Sequence, residues 1–300
     1  MKQTLTALVL LLVLIGLAIG GYRLIFDSEE EVTVQVESMS GAASIQGDEG
    51  AQRVASPGSV LKIGDRVKTE TGGEVILSMR PEDRIVVTSD TEVRVKEVGN
   101  DRTVFELTYG QIEASVKPYS GRIVQFEAPG NAVKVETESG SFTMNHDGWG
   151  TYDLVPQEGD VRLVDGDERV RVMPGSRAVV SPDSPLVQED ALERAVLLKV
   201  QWPGAAPAGE EVQVQGKADI GSIVLVAGER IRVSGDGAFS TQVKVPDEGE
   251  VEVVARSSLG RARETSSGIQ LAETPTPTKP PPPARAKAPK LQVIESGEWK

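Results

Sequence analysis

Pro57-Gly-Ser-Val-Leu-Lys-Ile-Gly-Asp-Arg-Val-Lys-Thr-Glu-Thr-Gly-Gly-Glu-Val-Ile-Leu-Ser-Met79 reads as a turn, a strand, a turn and a strand. Gly58 and Gly64 stand where the chain must reverse, and a residue without Cβ takes positive φ there at no steric cost. Asp65 is placed to bond nearby backbone and close the second bend. Val67 and Thr69, then Val75, Leu77 and Met79, alternate with other residues, which is the period of a strand with one buried face. The stretch holds no paired nucleophile and base and no metal-ligating cluster. It predicts an all-β fold.

The same pattern extends in both directions. Val32-Val34-Val36, Val93-Val95, Phe105-Leu107-Tyr109, Ile112-Ala114-Val116, Val133-Val135, Val161-Leu163 and Val170-Val172 each alternate, with turn residues between most of them. Such spacing fits a sandwich, a rolled sheet or a short solenoid, with Pro81, Pro118 and Pro129 confined to turns or edges. Gly110 and Gly159 each read as a glycine turn feeding a strand. The composition agrees: 39% of residues are hydrophobic and only 4% aromatic, so the core rests on Val, Leu, Ile and Ala, and helices should be few. Three hundred residues suggest two domains.

The order Gly58, Leu61, Gly64-Asp65, Val67, Thr69 and Gly73 leading into an apolar strand resembles the opening of the FecR-like domain family. Phe105, Leu107, Gly110, Ile112, Val116, Phe126, Pro129, Gly159, Val161, Leu163 and Gly175 follow in that family's order. Ser139-Gly140-Ser141-Phe142 departs from it, where Gly-Thr is expected before the Phe. The resemblance covers Val32 to about Val180 and implies a periplasmic, all-β, non-enzymatic domain. Further on, Val214, Gly216, Gly221 to Val226, Asp236-Gly237, Phe239 and Val243 resemble the pattern of bacterial Ig-like domains, whose usual role is spacer or adhesion module. About seven short strands between Leu198 and Leu271 fit such a small sandwich.

The expected organisation is therefore a signal anchor over residues 1–26, an acidic spacer over 27–31, a FecR-like domain over 32–183, a joint over 184–196, an Ig-like domain over 197–271 and a Pro-rich basic tail over 272–300. Thr4 to Tyr22 carries no charge and is long enough to cross the roughly 30 Å hydrocarbon layer. A cleaved signal peptide, leaving a secreted protein, is the competing reading; the uninterrupted apolar length and the absence of Ala-x-Ala favour the anchor. The FecR-like resemblance places the bulk of the chain in the periplasm of a bacterial inner-membrane protein. The joint, opening Ser181-Pro-Asp-Ser-Pro185, suggests two turns of helix before Ala195. The tail, from Thr274 to Lys290, reads as polyproline II carrying Lys279, Arg285, Lys287 and Lys290.

Net charge of −13 and a pI near 4.8 argue against broad nucleic-acid binding. With no Cys there is no disulfide, no thiolate nucleophile and no Cys-bound zinc. His146 is the only histidine, and in Asn145-His-Asp-Gly-Trp-Gly150 it reads as a loop residue, with Trp149 beside it either an exposed contact residue on a rigid loop or, the favoured reading, packed in the core. Asp165-Gly166-Asp167-Glu168 lacks the alternate carboxylates of a calcium loop and reads as a hairpin turn, as does Ser234-Gly235-Asp236-Gly237. No catalytic, cofactor-binding or metal residues are assigned, no cofactor or small-molecule substrate is expected, and an enzyme is the weakest class.

The function these readings imply is a non-enzymatic binding or scaffold module of the cell envelope, anchored through its N-terminal helix and engaging another envelope protein or a wall polymer. The alternative is a transmembrane signalling regulator acting through a partner protein. The founding FecR proteins relay a receptor signal to a sigma factor, but here only Met1 to about Thr4 would face the cytoplasm, which disfavours direct sigma-factor control.

Overall fold

The computed structural model describes residues 32–80, 82–118, 121–182, 184–190, 196–258, 262–268 and 271, and every regular element among them is a β-strand. The expected anchor, acidic spacer and basic tail lie outside these residues. Among the described residues no helix is long and apolar enough to cross a membrane.

Residues 32–190 form β1 (Val34–Ser40), β2 (Ala43–Gln46), β3 (Gln52–Val54), β4 (Val60–Leu61), β5 (Arg66–Thr69), β6 (Glu74–Ser78), β7 (Arg84–Val87), β8 (Glu92–Val98), β9 (Arg102–Val116), β10 (Ile123–Glu127), β11 (Lys134–His146), β12 (Tyr152–Asp165), β13 (Glu168–Val172), β14 (Ser176–Ser181) and β15 (Ser184–Asp190). All belong to one 15-stranded sheet. The opening stretch behaves as its sequence requires. Gly58 and Gly64 have φ of 83° and 95°, the Asp65 carboxylate accepts from the Lys62 N–H at 3.1 Å, and Val67, Thr69, Val75, Leu77 and Met79 are all buried.

Three long strands turn this sheet into two stacked layers. In β9 the segment 103–109 pairs with β8, while 112–115 pairs with β7 and 110–116 with β11. β11 and β12 change neighbours in the same way, so one layer runs β15-β14-β12-β11-β9-β7-β6-β1-β4 and the other β3-β2-β5-β8-β9-β10-β11-β12-β13. Side chains show where each strand crosses over. Phe105 and Leu107 face the core at odd positions of β9, but Ile112, Ala114 and Val116 face it at even ones. In β11 the inward set passes from Val135 to Phe142 and Met144, and in β12 from Tyr152 and Leu154 to Val161 and Leu163. A slip of one residue exchanges the faces of a strand, and each slip in the register, at Thr108, Glu138 or Gln157, comes two residues before a glycine: Gly110, Gly140 or Gly159.

Gly110 and Gly159 are thus bends inside strands, not turns before them. At Gly110, φ is +99° and a Cβ would lie 2.2 Å from Thr91 Oγ1; at Gly159, φ is +82° and a Cβ would lie 2.4 Å from the Ser139 carbonyl oxygen. Only glycine fits such a close backbone approach. Between the layers, Phe126 stacks on Phe105 at 5.5 Å and meets Phe142 edge-on at 5.3 Å, so three of the five phenylalanines meet where the layers join. Arg122 and Asp83, both buried, form an ion pair at one margin of this core, and Asp83 also accepts from the Lys117 N–H at 2.9 Å.

The segment expected to include two turns of helix instead contains β15, which pairs with β14 from Ser176↔Asp190 to Ser181↔Ser184 and belongs to the large sheet. Residues 191–195 lie outside the described set. Beyond them come β16 (Leu198–Gln201), β17 (Glu211–Ala218), β18 (Ile223–Val226), β19 (Glu229–Ile231), β20 (Ala238–Lys244), β21 (Glu250–Arg256) and β22 (Ala262–Gly268). They make two antiparallel sheets, β16-β17-β20 and β19-β18-β21-β22. Leu198, Val214 and Phe239 from the first share one core with Val224, Val226, Val251, Val253 and Ala255 from the second. Ser234 to Gly237 does form a turn, with the Gly237 N–H bonded to the Ser234 carbonyl at 2.8 Å. It is not a hairpin, however, because β19 and β20 lie in different sheets.

Candidate functional site

Ile223-Val-Leu-Val226 is buried at every position, unlike a strand with one wet face. Val224 and Val226 point into the smaller unit's own core. The register assigns the other side: Ile223 is opposite Arg256, and Leu225 is opposite both Arg230 and Val254. Directly opposed residues share a face, so Ile223, Leu225, Val254, Arg230 and Arg256 form one surface, apolar in the middle with two arginines at its margin. That surface meets the larger unit.

Both arginines converge on Asp90, in the turn between β7 and β8. Asp90 has φ of +56°, a left-handed conformation that Asp adopts more readily than most residues. Its carbonyl accepts from Arg230 Nη2 at 2.8 Å and its Oδ2 accepts from Arg256 Nη1 at 3.1 Å. Ser89 Oγ donates to the same Oδ2 at 2.7 Å and Thr71 Oγ1 to Oδ1 at 2.6 Å. Burial pushes this carboxyl up, but the hydrogen bonds from Thr71, Ser89 and Arg256 outweigh it and hold the group below the ordinary carboxylate value. The Arg230 guanidinium also lies 4.0 Å over the Tyr109 ring, a cation–π contact at the bend of β9.

A second contact forms on β12 and β14. Arg177 donates through Nε and Nη2 to Asp153 Oδ2 at 3.0 and 2.8 Å, and the same Nη2 reaches the Ile220 carbonyl of the smaller unit at 2.6 Å. Gly221 follows, with φ of +81°; a Cβ there would come within 2.7 Å of Asp153 Cβ, so glycine permits the approach. Burial raises the Asp153 carboxyl, and the Arg177 charge pulls it back. A cleft of about 560 Å³ is lined by Arg84, Glu113, Phe142, Thr143 and Gln157 of the larger unit and Ser258 of the smaller.

His146 is not a loop residue. It ends β11, fully buried, with Nε2 accepting from the Gly150 N–H at 3.1 Å, and burial holds its pKa below the ordinary value. The lone pair that a general base would use is thus engaged by backbone. Asp147 Oδ1 accepts from the N–H groups of Trp149 and Thr151 at 2.6 and 3.1 Å. Together they build the turn that presents Trp149, which is 39% exposed and not packed in the core. Asp165 pairs with Glu168 across the β12–β13 hairpin, with Gly166 at φ of +58°. Among the described residues no group of three or more His, Cys, Asp or Glu is placed to hold a metal ion.

Sequence reasoning missed Asp90, Asp153, Arg177, Arg230 and Arg256 altogether. Isolated charges on strands and turns read as solvated, and their partners lie up to 166 residues away in the chain. The available signal was the unbroken apolar run at 223–226, which requires cover on both faces.

No family model matches the chain, and no curated protein matches it. Two solved structures of a proposed anti-sigma factor from Parabacteroides distasonis ATCC 8503 are similar over 42% of this chain and 59% of theirs, at 14% identity and TM-scores of 0.36 and 0.35. The chain thus spans under two thirds of those proteins' length. A polysaccharide lyase is similar at 10% identity over 79% of this chain and 40% of its own, with a TM-score of 0.21.

Proposed function

We propose that the chain is a non-enzymatic binding or scaffold protein of the bacterial envelope, with a FecR-like unit and an Ig-like unit held together by the Asp90 and Asp153 contacts. One observation supports this reading: five of the buried ionisable side chains hold backbone groups. Asp65 holds the Lys62 N–H, Asp83 that of Lys117, His146 that of Gly150, Asp147 those of Trp149 and Thr151, and Arg177 the Ile220 carbonyl. Groups so engaged fix the shape of a surface. The Ig-like reading is supported by strand order: labelled in chain order with β19 as C′, the sheets run A-B-E and C′-C-F-G, an immunoglobulin-like arrangement with the fourth strand moved to the opposite sheet.

In this reading Thr4 to Tyr22 anchors the chain in the inner membrane and everything after Phe26 lies in the periplasm, where the partner is another envelope protein or a wall polymer. Protease added to spheroplasts digests such a protein down to its anchor; protection of the C-terminal portion would overturn the topology. Crosslinking in intact membranes then identifies the partner. Recovery of a sigma factor or of a membrane protein that controls one would replace the scaffold role with a signalling role.

A further inference from the structure

The smaller unit's other outward face is chemically unlike the face that docks. Along β16-β17-β20 the exposed positions include Lys199, Gln201, Gln215, Lys217 and Ser240, and with Arg232 they line a groove of about 710 Å³. Among the described residues that line it are Lys199, Lys217 and Arg232 and no carboxylate, on a chain of net charge −13. Lys199 lies directly opposite Lys217, an arrangement of like charges that costs a sheet stability. Local rules broken in this way mark functional positions more often than random ones. Asp236, the acid that feels Lys217, is tied down by Ser234 Oγ at 2.6 Å and the Ala238 N–H at 3.2 Å.

Next to the lysine row runs a neutral one. Gln201, Gln215 and Ser240 are consecutive cross-strand partners, and Gln213 donates to Ser240 Oγ at 3.0 Å. The face therefore offers amides and hydroxyls beside spaced positive charge.

We propose that this face binds an acidic glycan, a polysaccharide whose carboxylates recur along a chain of hydroxyls. The lysines would pair with the carboxylates, and the Gln and Ser row would exchange hydrogen bonds with the hydroxyls. An acidic peptide fits less well, because an extended peptide gains most by adding a strand at a sheet edge, whereas these groups stand on the face. The proposal deepens the binding role above by naming a ligand class, and it does not depend on the membrane anchor.

The test uses the full chain in detergent micelles and measures binding by calorimetry at low salt. The probes are polygalacturonate, its methyl ester, polyglutamate and a single-stranded DNA oligonucleotide. Polygalacturonate binds, and its affinity falls at least about tenfold in Lys199→Gln and again when Lys217→Gln is added, with circular dichroism unchanged. It is retained when Lys279, Arg285, Lys287 and Lys290 are all replaced by Gln, which separates the groove from the basic tail. No binding by the parent chain, loss only in the tail variant, unchanged affinity in the groove variants, or equal binding of the methyl ester, polyglutamate or DNA would each overturn the site. Failure here leaves the spheroplast and crosslinking results standing, so the two readings fail separately.

Discussion

The two sheets of the smaller unit turn different chemistry outward. β19-β18-β21-β22 presents Ile223, Leu225 and Val254 with Arg230 and Arg256 at the margin, while β16-β17-β20 presents lysine, glutamine and serine. The first face is buried and the second exposed. In the first, the arginines make directional contacts with Asp90, fixing how the apolar patch sits. In the second, Lys199 and Lys217 face each other across the sheet. One sandwich thus has one face built for docking within the chain and one left for a ligand.

Substitutions on the two faces separate these roles. The largest effect is expected from Leu225→Asp, which replaces a buried apolar side chain of the joint by a carboxylate; urea unfolding should show a loss of about 3 kcal/mol. Gln215→Asp, on the other face, should stay within about 0.5 kcal/mol of the parent. Equal losses would mean that the faces do not differ in burial. Asp90→Asn keeps the backbone carbonyl for Arg230 and tolerates the left-handed φ, but removes the charge opposite Arg256. Because both partners of that pair are partly exposed, the loss should be about 1 kcal/mol, shrinking as salt rises.

Acid sensitivity tests the larger unit by itself. Burial holds the folded pKa of His146 below the ordinary 6.5, so the unfolded chain takes up the proton more readily. Its contribution to stability is fully present above pH 6.5 and is lost as pH falls below that value. Asp147, whose carboxyl burial raises above the ordinary 3.8, has the opposite sign, contributing stability at low pH that is lost as pH rises through its folded value. The urea midpoint of the parent should therefore fall more steeply below pH 6.5 than that of His146→Gln, whose side chain has no proton to gain. Parallel slopes would remove His146 as the cause. The smallest effect is a gain: Lys217→Gln relieves the repulsion with Lys199 and should stabilise the chain by about 0.2–0.5 kcal/mol while weakening glycan binding.

The sequence made the all-β class and the Pro57 to Met79 turns readable because local rules decide them. Positive φ at Gly58 and Gly64, the Asp65 cap and strict alternation all act within a few residues. Gly110 and Gly159 were misread because a glycine before an apolar run looks alike whether the chain reverses or bends. The distinguishing sign was the one-residue slip in alternation, from Phe105 and Leu107 to Ile112 and Ala114. Over residues 186–190 the expected helix gave way to β15 because an open strand edge on β14 outweighs a weak local preference. The joint itself was almost illegible, since its arginines and aspartates meet only when two units dock. Even His146 reads as a loop residue until the neighbouring strands that bury it are known.

Differential scanning calorimetry of the full chain tests the joint most directly. If the Asp90 and Asp153 contacts lock the units into one cooperative body, the parent should unfold in a single transition, and Leu225→Asp combined with Asp90→Asn should split it in two. Two resolved transitions in the parent chain, unchanged by those substitutions, would contradict the account.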